Sequence, residues 1–314
     1  GTLLGVQRVA PPQSARLFDR PYLLLVLAVM FWAGNMIVGR AVRADVPPVA
    51  LAFLRWTLAT LLLAPFAVRR TLADLPVLLR AWRPVLLLAF LGVATFNTLV
   101  YLALQSVPSI NAFIMQSLMP IFIIGFSFIF FREAIGGAQL SGLLVSLAGA
   151  VLVVTAGRPL DILARPPQFG DLLLLVAVLS YAAYSALLRL RPQVHPLSFL
   201  LATFALGSLM LLPFFVWELR AGQPLVLNRE LVLSAGYVAI FPSIVSYLCF
   251  NRGVELAGAN RAGTFIHLMP LIGSLLAVLL LGTILVAYPR GARPALRRIV
   301  VVAAPVIALS AVYG

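Results

Sequence analysis

Long apolar segments, separated by short polar or proline-containing connectors, run along the whole chain. A helix that spans a membrane needs roughly 20 apolar residues, because the hydrocarbon core is about 30 Å thick and each residue adds about 1.5 Å. We predict a transmembrane helix for each of ten segments of about this length. They cover about residues 21–39, 47–67, 84–104, 108–131, 137–156, 170–190, 196–216, 231–254, 260–282 and 297–313. The last one is short and contains Pro305, so a re-entrant or irregular element remains an alternative there.

The connectors mostly contain Pro, Gly or Arg, which end helices or are costly in lipid. Examples are "RAVRADVPP", "RRTLADLPVLLRAWRP", "GRPLDILARPPQFGD" and "LRLRPQVHP". The tight joints "LQSVPSIN" and "FREAIGG" predict antiparallel helix pairs. Since no segment shows the alternation typical of a strand, we expect an all-α membrane protein without a soluble domain.

Composition agrees with this interpretation. Hydrophobic residues make up 62% of the chain and charged residues only 10%, whereas about 25% of a soluble domain is charged. The net charge of +14 would be compatible with nucleic-acid binding, but nearly all basic residues lie between the apolar segments. That placement is typical of membrane proteins, so we expect membrane lipid and no nucleic acid as partners.

The arginines also predict the orientation. If the N-terminus is cytoplasmic, the segments inside hold twelve arginines up to residue 283 and the segments outside hold six. This asymmetry follows the positive-inside rule. The tail is an exception, because "YPRGARPALRR" would place four arginines outside if all ten helices span.

A repeat with an offset of 150 residues relates the two halves of the chain. "SLMP" at 117–120 corresponds to "HLMP" at 267–270, and the same offset maps helix one onto helix six. We predict a first five-helix repeat over residues 1–157 and a second over 158–314. Because five is an odd number, the second repeat is inverted, which is typical of alternating-access transporters with a site between the halves. The tail 283–314 is atypical, since Thr283 aligns with Glu133.

Polar and aromatic side chains recur inside the predicted helices, where they are costly unless they face a cavity or another helix. Trp32 and Asn35 lie three residues apart in "VMFWAGNMIVGR" and share a helix face. Similar stripes occur in five other helices, and we predict that they line a central cavity. The candidate substrate-binding residues are Trp32, Asn35, Asn97, Tyr101, Gln105, Met115, Gln116, Tyr181, Tyr184, Ser243, Tyr247, Asn251 and His267.

Two interpretations of these stripes remain open. Amides and hydroxyls could bind an amino or carboxyl group while the rings provide a stacking surface. Alternatively, the polar groups only connect neighbouring helices. For His267 we favour a hydrogen-bonding role over a charge switch. Arg55 lies eight residues into helix two and could attract a carboxylate; we favour a side chain that reaches the outer interface or bonds helix carbonyls.

Several motifs of other function classes are missing from the sequence. No Walker A loop is present, so we expect transport without ATP. No Asp or Glu lies deep in a predicted helix, which favours a uniporter over proton coupling. The single cysteine, Cys249, forms no disulfide framework, and no Cys/His spacing predicts a metal site, so we expect no cofactor.

The stretch "FWAGNMIVGRAV", followed by "PPVALAFLRWTLATLLLAPF" and "PSINAFIMQSLMPIFIIGFSFIFFREAIGGAQLSGLLVSLAGAVLVV", resembles the EamA family of the drug/metabolite transporter superfamily. Within that family the chain looks most like bacterial inner-membrane exporters of aromatic amino acids. The resemblance covers about residues 22–282. It implies ten helices in two inverted repeats, cytoplasmic termini and export of small metabolites. The family's acidic residue after Gly282 and its glycine-rich tenth helix are missing.

The sequence thus predicts a multi-pass protein of the bacterial inner membrane, with a cytoplasmic N-terminus, that exports amino acids, with aromatic ones favoured. The alternative is a proton-coupled drug or metabolite exporter of the same fold. A membrane-embedded enzyme is a remote alternative, because no cluster of Asp, Glu and His is apparent. The sequence is compatible with a monomer.

Overall fold

The computed structural model describes residues 17–276 apart from 45, 108, 156, 158, 163–165, 223, 224 and 274. All regular elements within this part of the chain are helices, as the apolar segments predict. Seven of these helices are long and apolar enough to cross a membrane. The predicted tenth segment, 297–313, and the atypical tail lie outside the described residues.

Nine helices follow one another in the described part of the chain, and they match the first nine predicted segments. They are α1 (Pro21–Ala41), α2 (Pro48–Arg80), α3 (Trp82–Ser106), α4 (Ser109–Ser117 and Met119–Phe131), α5 (Gly137–Val154), α6 (Phe169–Leu187), α7 (Pro196–Arg220), α8 (Arg229–Ala257) and α9 (Ala259–Thr264, continued by the 3-10 turn Phe265–His267).

Helix α2 is longer than the sequence indicates. It has 33 residues and continues through Pro65 and Pro76 to Arg80, so most of the predicted connector "RRTLADLPVLLRAWRP" is helical. Its Leu, Ala and Arg residues are good helix formers, which favours continuation. A helix of this length spans about 50 Å, whereas the hydrocarbon core is about 30 Å thick. The last turns, with their exposed arginines, therefore extend beyond the lipid core.

The helices pack in antiparallel pairs that join the two halves of the chain: α2 along α7, α1 along α8, and α3 along α6. Glycines allow some of these close approaches. A Cβ atom at Gly253 on α8 would lie 2.6 Å from the side chain of Leu25 on α1. Small residues at such contacts are typical of helices that pack within membranes.

Helices α3 and α8 each contain a π-helical stretch, Ala89–Thr95 and Ile240–Val245. Such stretches disturb the regular α-helical hydrogen bonds and redirect backbone carbonyls. In α8, Pro242 has no N–H group, and Ser243 Oγ donates to Val238 O at 2.7 Å. In α3, Gly92 O accepts a hydrogen bond from the hydroxyl of Tyr247. Both stretches therefore turn backbone carbonyls toward the interior of the bundle.

Different contacts hold the two ends of the bundle. At the end where α1, α3, α5, α7 and α9 begin, called the N-side here, Arg252 pairs with Asp19 at 3.2 Å and Glu255 pairs with Arg191 at 2.7 Å. At the opposite end, the buried carboxylate of Glu218 caps α2. It accepts hydrogen bonds from the backbone N–H groups of Val49 at 3.1 Å and Ala50 at 2.7 Å.

Replacing Glu218 by Ala should destabilise the protein, because two buried N–H groups at the start of α2 lose their acceptor. Hydrogen bonds to a charged group are worth about 1.5–3 kcal/mol each, so the thermal unfolding midpoint in detergent should fall by several degrees. The matched control is Glu230→Ala, which removes an exposed carboxylate from the first turn of α8. Equal midpoints for the two variants would contradict this role of Glu218.

Candidate functional site

The guanidinium of Arg55 lies at the centre of the bundle and is fully buried, with 0% of the residue exposed. All three of its nitrogens donate hydrogen bonds. Nε donates to Ser243 Oγ at 2.6 Å, and Nη2 donates to the backbone carbonyl of Pro242 at 3.0 Å. The π-helical stretch of α8 supplies both acceptors. These two hydrogen bonds connect α2 to the π-helical stretch of α8.

The third nitrogen, Nη1, lies against three side chains of α1 and α3. Its distances are 3.1 Å to Asn35 Oδ1, 2.8 Å to Asn97 Oδ1 and 2.9 Å to the Tyr101 hydroxyl. The Tyr101 hydroxyl in turn donates to Asn35 Oδ1 at 2.6 Å. We call the set formed by Arg55, Asn35, Asn97, Tyr101, Ser243 and the Pro242 carbonyl the Arg55 cluster. It connects α1, α2, α3 and α8 through one side chain.

The acceptors around Arg55 are all neutral. Among the residues that the structure describes, no carboxylate lies within 4.0 Å of its guanidinium. A buried charge is costly unless it is paired or extensively hydrogen-bonded. In the described part of the chain, the charge of Arg55 is therefore stabilised by amide, hydroxyl and carbonyl dipoles and not by a counter-ion.

Aromatic rings surround the Arg55 cluster. The guanidinium carbon lies 4.6 Å from the ring centroid of Trp56, which is a cation–π arrangement. Further rings form a continuous group with centroid separations of 4.6 to 6.1 Å. This aromatic cluster consists of Trp32, Trp56, Phe96, Tyr181, Tyr184, Phe204, Tyr247 and Phe250. Trp32 connects the aromatic cluster to the Arg55 cluster, since its Nε1 donates to the Pro242 carbonyl at 3.0 Å.

A small void lies beside the Arg55 cluster and the aromatic cluster. Its volume is about 10 Å³, which is about the space of one water molecule. Asn35, Asn97 and Tyr181 contribute to its wall. The Nδ2 atom of Asn97 and the hydroxyl of Tyr181 are buried and make no hydrogen bond of good geometry, although both lie near the Tyr247 hydroxyl. Where the sequence predicts a central cavity, the described residues thus leave only this void.

A larger cleft, with a volume of about 260 Å³, lies at the N-side between the ends of α4, α6 and α8. Its wall includes the charged residues Glu133, Arg189 and Glu255 and the buried Asn251. The Tyr184 hydroxyl donates to Asn251 Oδ1 at 3.0 Å. This hydrogen bond connects the wall of the cleft to the aromatic cluster.

Most of the candidate residues from the sequence meet at this centre. Those in the Arg55 cluster or the aromatic cluster are Trp32, Asn35, Asn97, Tyr101, Tyr181, Tyr184, Ser243 and Tyr247. Asn251 stands between the aromatic cluster and the cleft. Gln116 lines the void and donates to Met36 Sδ at 3.2 Å. Met115 is half-buried and packs against the core.

Gln105 lies elsewhere. The side chain is exposed in the last turn of α3, one residue before the helix ends at Ser106. The stripe that begins at Asn97 and Tyr101 therefore leaves the buried centre after one turn. The spacing of four residues is the same in both steps; the difference arises because the bundle ends there.

His267 connects helices. Its Nε2 lies 2.8 Å from the Ser117 carbonyl and its Nδ1 lies 2.6 Å from Ser146 Oγ. A carbonyl only accepts, so Nε2 donates, and a neutral ring accepts at Nδ1 from the Ser146 hydroxyl. His267 thus joins α9 to α4 and α5. This arrangement corresponds to the hydrogen-bonding role that the sequence favours.

Sequence reasoning missed Arg55 as a member of the site. The favoured placement at the outer interface is wrong, although one helix carbonyl does accept from it. The sequence carries no signal that decides the direction of the Arg55 side chain, because the start of α2 is buried by a tertiary contact, the cap formed by Glu218 of α7. Four aromatic residues of the cluster were missed as well: Trp56, Phe96, Phe204 and Phe250.

The model of the EamA-like transporter family matches residues 19–155 and 168–288 of the chain. The chain belongs to this family. It is accordingly a multi-pass membrane protein, in agreement with the seven long apolar helices. The resemblance that the sequence motifs indicate is confirmed at this level.

Curated relatives of the chain are named as transporters. An uncharacterized transporter of Archaeoglobus fulgidus is 28% identical over 82% of this chain and 88% of its own length. The uncharacterized transporter YetK of Bacillus subtilis is 26% identical over 84% of this chain and 79% of its own. The uncharacterized inner membrane transporter YicL of Salmonella typhimurium is 26% identical over 63% and 64%. A solved crystal structure with 20% identity shares the fold, with a TM-score of 0.66 over 93% of this chain and 96% of that one.

Replacing Tyr101 by Phe should lower stability, because the phenol oxygen accepts from Arg55 and donates to Asn35. Leaving buried polar groups without a partner costs about 1–3 kcal/mol, and the unfolding midpoint falls by about 2–4 °C for each kcal/mol in a chain of moderate size. The measurement is thermal unfolding in detergent. Tyr22→Phe serves as control, because Tyr22 is 54% exposed. A midpoint for Tyr101→Phe no lower than the control would contradict the hydrogen bonding described.

Proposed function

We propose that this protein is a transporter that exports amino acids and related small metabolites, with aromatic amino acids as the favoured substrates. The observation that carries the proposal is the composition of the centre: a buried polar cluster enclosed by aromatic rings. The amide and hydroxyl groups of Asn35, Asn97 and Tyr101 suit the polar end of an amino acid. The rings of Trp32, Tyr181 and Tyr247 suit stacking against an aromatic side chain.

The proposed mechanism is alternating access. An aromatic amino acid is far larger than the void of about 10 Å³, so the helices around the centre have to separate before it binds. The cleft at the N-side supports an approach from that side through the Tyr184–Asn251 pair. At the opposite end, the buried start of α2 under the Glu218 cap supports a closed state there in the present conformation. Opening would then alternate between the two ends around the Arg55 cluster.

Two observations support an inverted repeat with halves at 1–157 and 158–314. The π-helical stretches begin at Ala89 and Ile240, close to the offset of 150 residues that relates the two halves of the sequence. The family model also matches in two segments. We include in this proposal a tenth helix over residues 297–313, which completes the second half.

We further propose that the protein lies in the bacterial inner membrane with its N-terminus in the cytoplasm and acts as a monomer surrounded by lipid. The excess of arginines in the segments on the N-side supports this orientation, and one relative is named as an inner membrane transporter. The cleft then faces the cytoplasm, where a substrate for export is taken up.

Uniport is the proposed energetic mode. In the described part of the chain, no Asp or Glu lies within 4.0 Å of the Arg55 guanidinium, and both ring nitrogens of His267 already have hydrogen-bond partners. The alternative, proton-coupled export of drugs or other metabolites, would have to use His267 as the deep titratable group.

Purified protein in liposomes should release preloaded labelled tryptophan down its gradient without ATP. Replacing Trp32 by Ala should slow this flux at least about tenfold, which corresponds to about 1.4 kcal/mol of lost contacts. The matched control is Trp82→Ala, because Trp82 is 54% exposed at the N-side and should transport like the unmodified protein. Absence of flux for tryptophan, phenylalanine and other amino acids would contradict the substrate assignment.

The same liposomes separate the two energetic modes. Addition of a protonophore should leave the downhill flux intact in a uniporter. A loss of flux when the proton gradient collapses would instead favour the proton-coupled alternative.

A further inference from the structure

We propose that Arg55 is the residue that binds the carboxylate of the substrate, and that the amide oxygens of Asn35 and Asn97 occupy its anion-binding edge until a substrate arrives. The proposal rests on the transport function proposed above and names the group that the centre recognises. It makes an aromatic carboxylate the required chemical class and excludes organic cations.

Arg55 has no carboxylate counter-ion among the residues that the structure describes. The carboxylates that do form ion pairs lie at the N-side, with other arginines: Asp19 pairs with Arg252, Glu133 with Arg189, and Glu255 with Arg191. Residues 256–314 contain neither Asp nor Glu. A buried guanidinium surrounded only by neutral acceptors gains electrostatic energy when an anion arrives, because the surrounding medium has a low dielectric constant.

Helix α8 fixes the orientation of the Arg55 guanidinium. Ser243 Oγ and the Pro242 carbonyl hold Nε and Nη2 from the side of α8. Nη1 is thereby directed toward the opposite side, where Asn35 and Asn97 cover it. Arg is well suited to this task, since its planar fork binds carboxylates with charge-assisted hydrogen bonds and stays protonated.

Two neutral hydrogen-bond donors belong to residues that line the central void. Asn35 and Asn97 both belong to the wall of the central void. The Nδ2 atom of Asn97 and the hydroxyl of Tyr181 are buried and make no hydrogen bond of good geometry, although both lie near the Tyr247 hydroxyl. Displacement of the two amide oxygens from Nη1 would open the guanidinium toward this void. We expect a carboxylate that takes their place at Nη1 to accept from these two donors as well, which a purely structural arginine does not require.

Ligand-induced stabilisation of the purified protein in detergent tests the chemical class directly, because a ligand that binds only the folded state raises its unfolding midpoint. The probes are L-tryptophan, indole-3-propionate, tryptamine and L-tryptophanamide. They share the indole ring and differ in the carboxylate and amino groups. Tryptophan and indole-3-propionate should raise the midpoint, whereas tryptamine and tryptophanamide should not.

The variant Asn97→Asp places a carboxylate next to Arg55 with almost no change in shape. Because Asn97 Oδ1 already lies 2.8 Å from Nη1, the new charge pairs with the guanidinium permanently. The variant without ligand should unfold at the same or a higher temperature than the unmodified protein. Its apparent affinity for tryptophan or indole-3-propionate should be at least about tenfold weaker, because the anion site is occupied. Asn228→Asp is the control, since Asn228 caps α8 through its side-chain oxygen and Asp caps equally well.

The outcomes separate this proposal from the proposed function. Stabilisation by indole-3-propionate but not by tryptophan would support the carboxylate assignment and contradict amino-acid export. Stabilisation by tryptamine or tryptophanamide equal to that by the carboxylates would overturn the assignment, as would no response to any of the four probes. The assignment would also be overturned if the Asn97→Asp variant bound tryptophan or indole-3-propionate as tightly as the unmodified protein. Arg55→Gln, if it folds, should lose the preference for carboxylates.

Discussion

The central physical constraint on this fold is the burial of one guanidinium. A charge in the interior of a membrane protein is stable only when the surrounding groups replace the hydrogen bonds that water would give. Arg55 achieves this with acceptors from α1, α3 and α8. Since every one of these acceptors has to lie within hydrogen-bond distance at the same time, the guanidinium fixes the relative positions of four helices.

The π-helical stretch of α8 is part of the same solution. A regular α-helix uses its backbone carbonyls internally, so it has few acceptors for a buried donor. Around Pro242 the regular pattern is interrupted, and the Pro242 carbonyl accepts from both Trp32 and Arg55. The irregular backbone thus supplies a hydrogen-bond acceptor for the buried guanidinium. The same stretch is a place where α8 can bend in the proposed transport cycle.

The sequence predicts the nine described helices well, because the length and hydropathy of a spanning helix follow from the thickness of the membrane. It also predicts most of the polar and aromatic centre, since stripes such as Trp32 with Asn35 follow from helix geometry. It does not reveal the role of Arg55, because the same residue near a helix start could extend to the interface or point inward. Only the packing of α7 over the start of α2 decides between these directions. The exposure of Gln105 and the extra length of α2 differ from the sequence-based prediction for a similar reason. The boundaries of the bundle depend on tertiary contacts.

The most direct test of this account is an experimental structure of the protein with an aromatic amino acid bound. The account predicts a substrate carboxylate about 2.7–2.9 Å from the guanidinium of Arg55, with Asn35 and Asn97 turned away from Nη1 and the aromatic cluster around the substrate ring. A structure in which Arg55 keeps both amide oxygens while the amino acid binds at another place would contradict it.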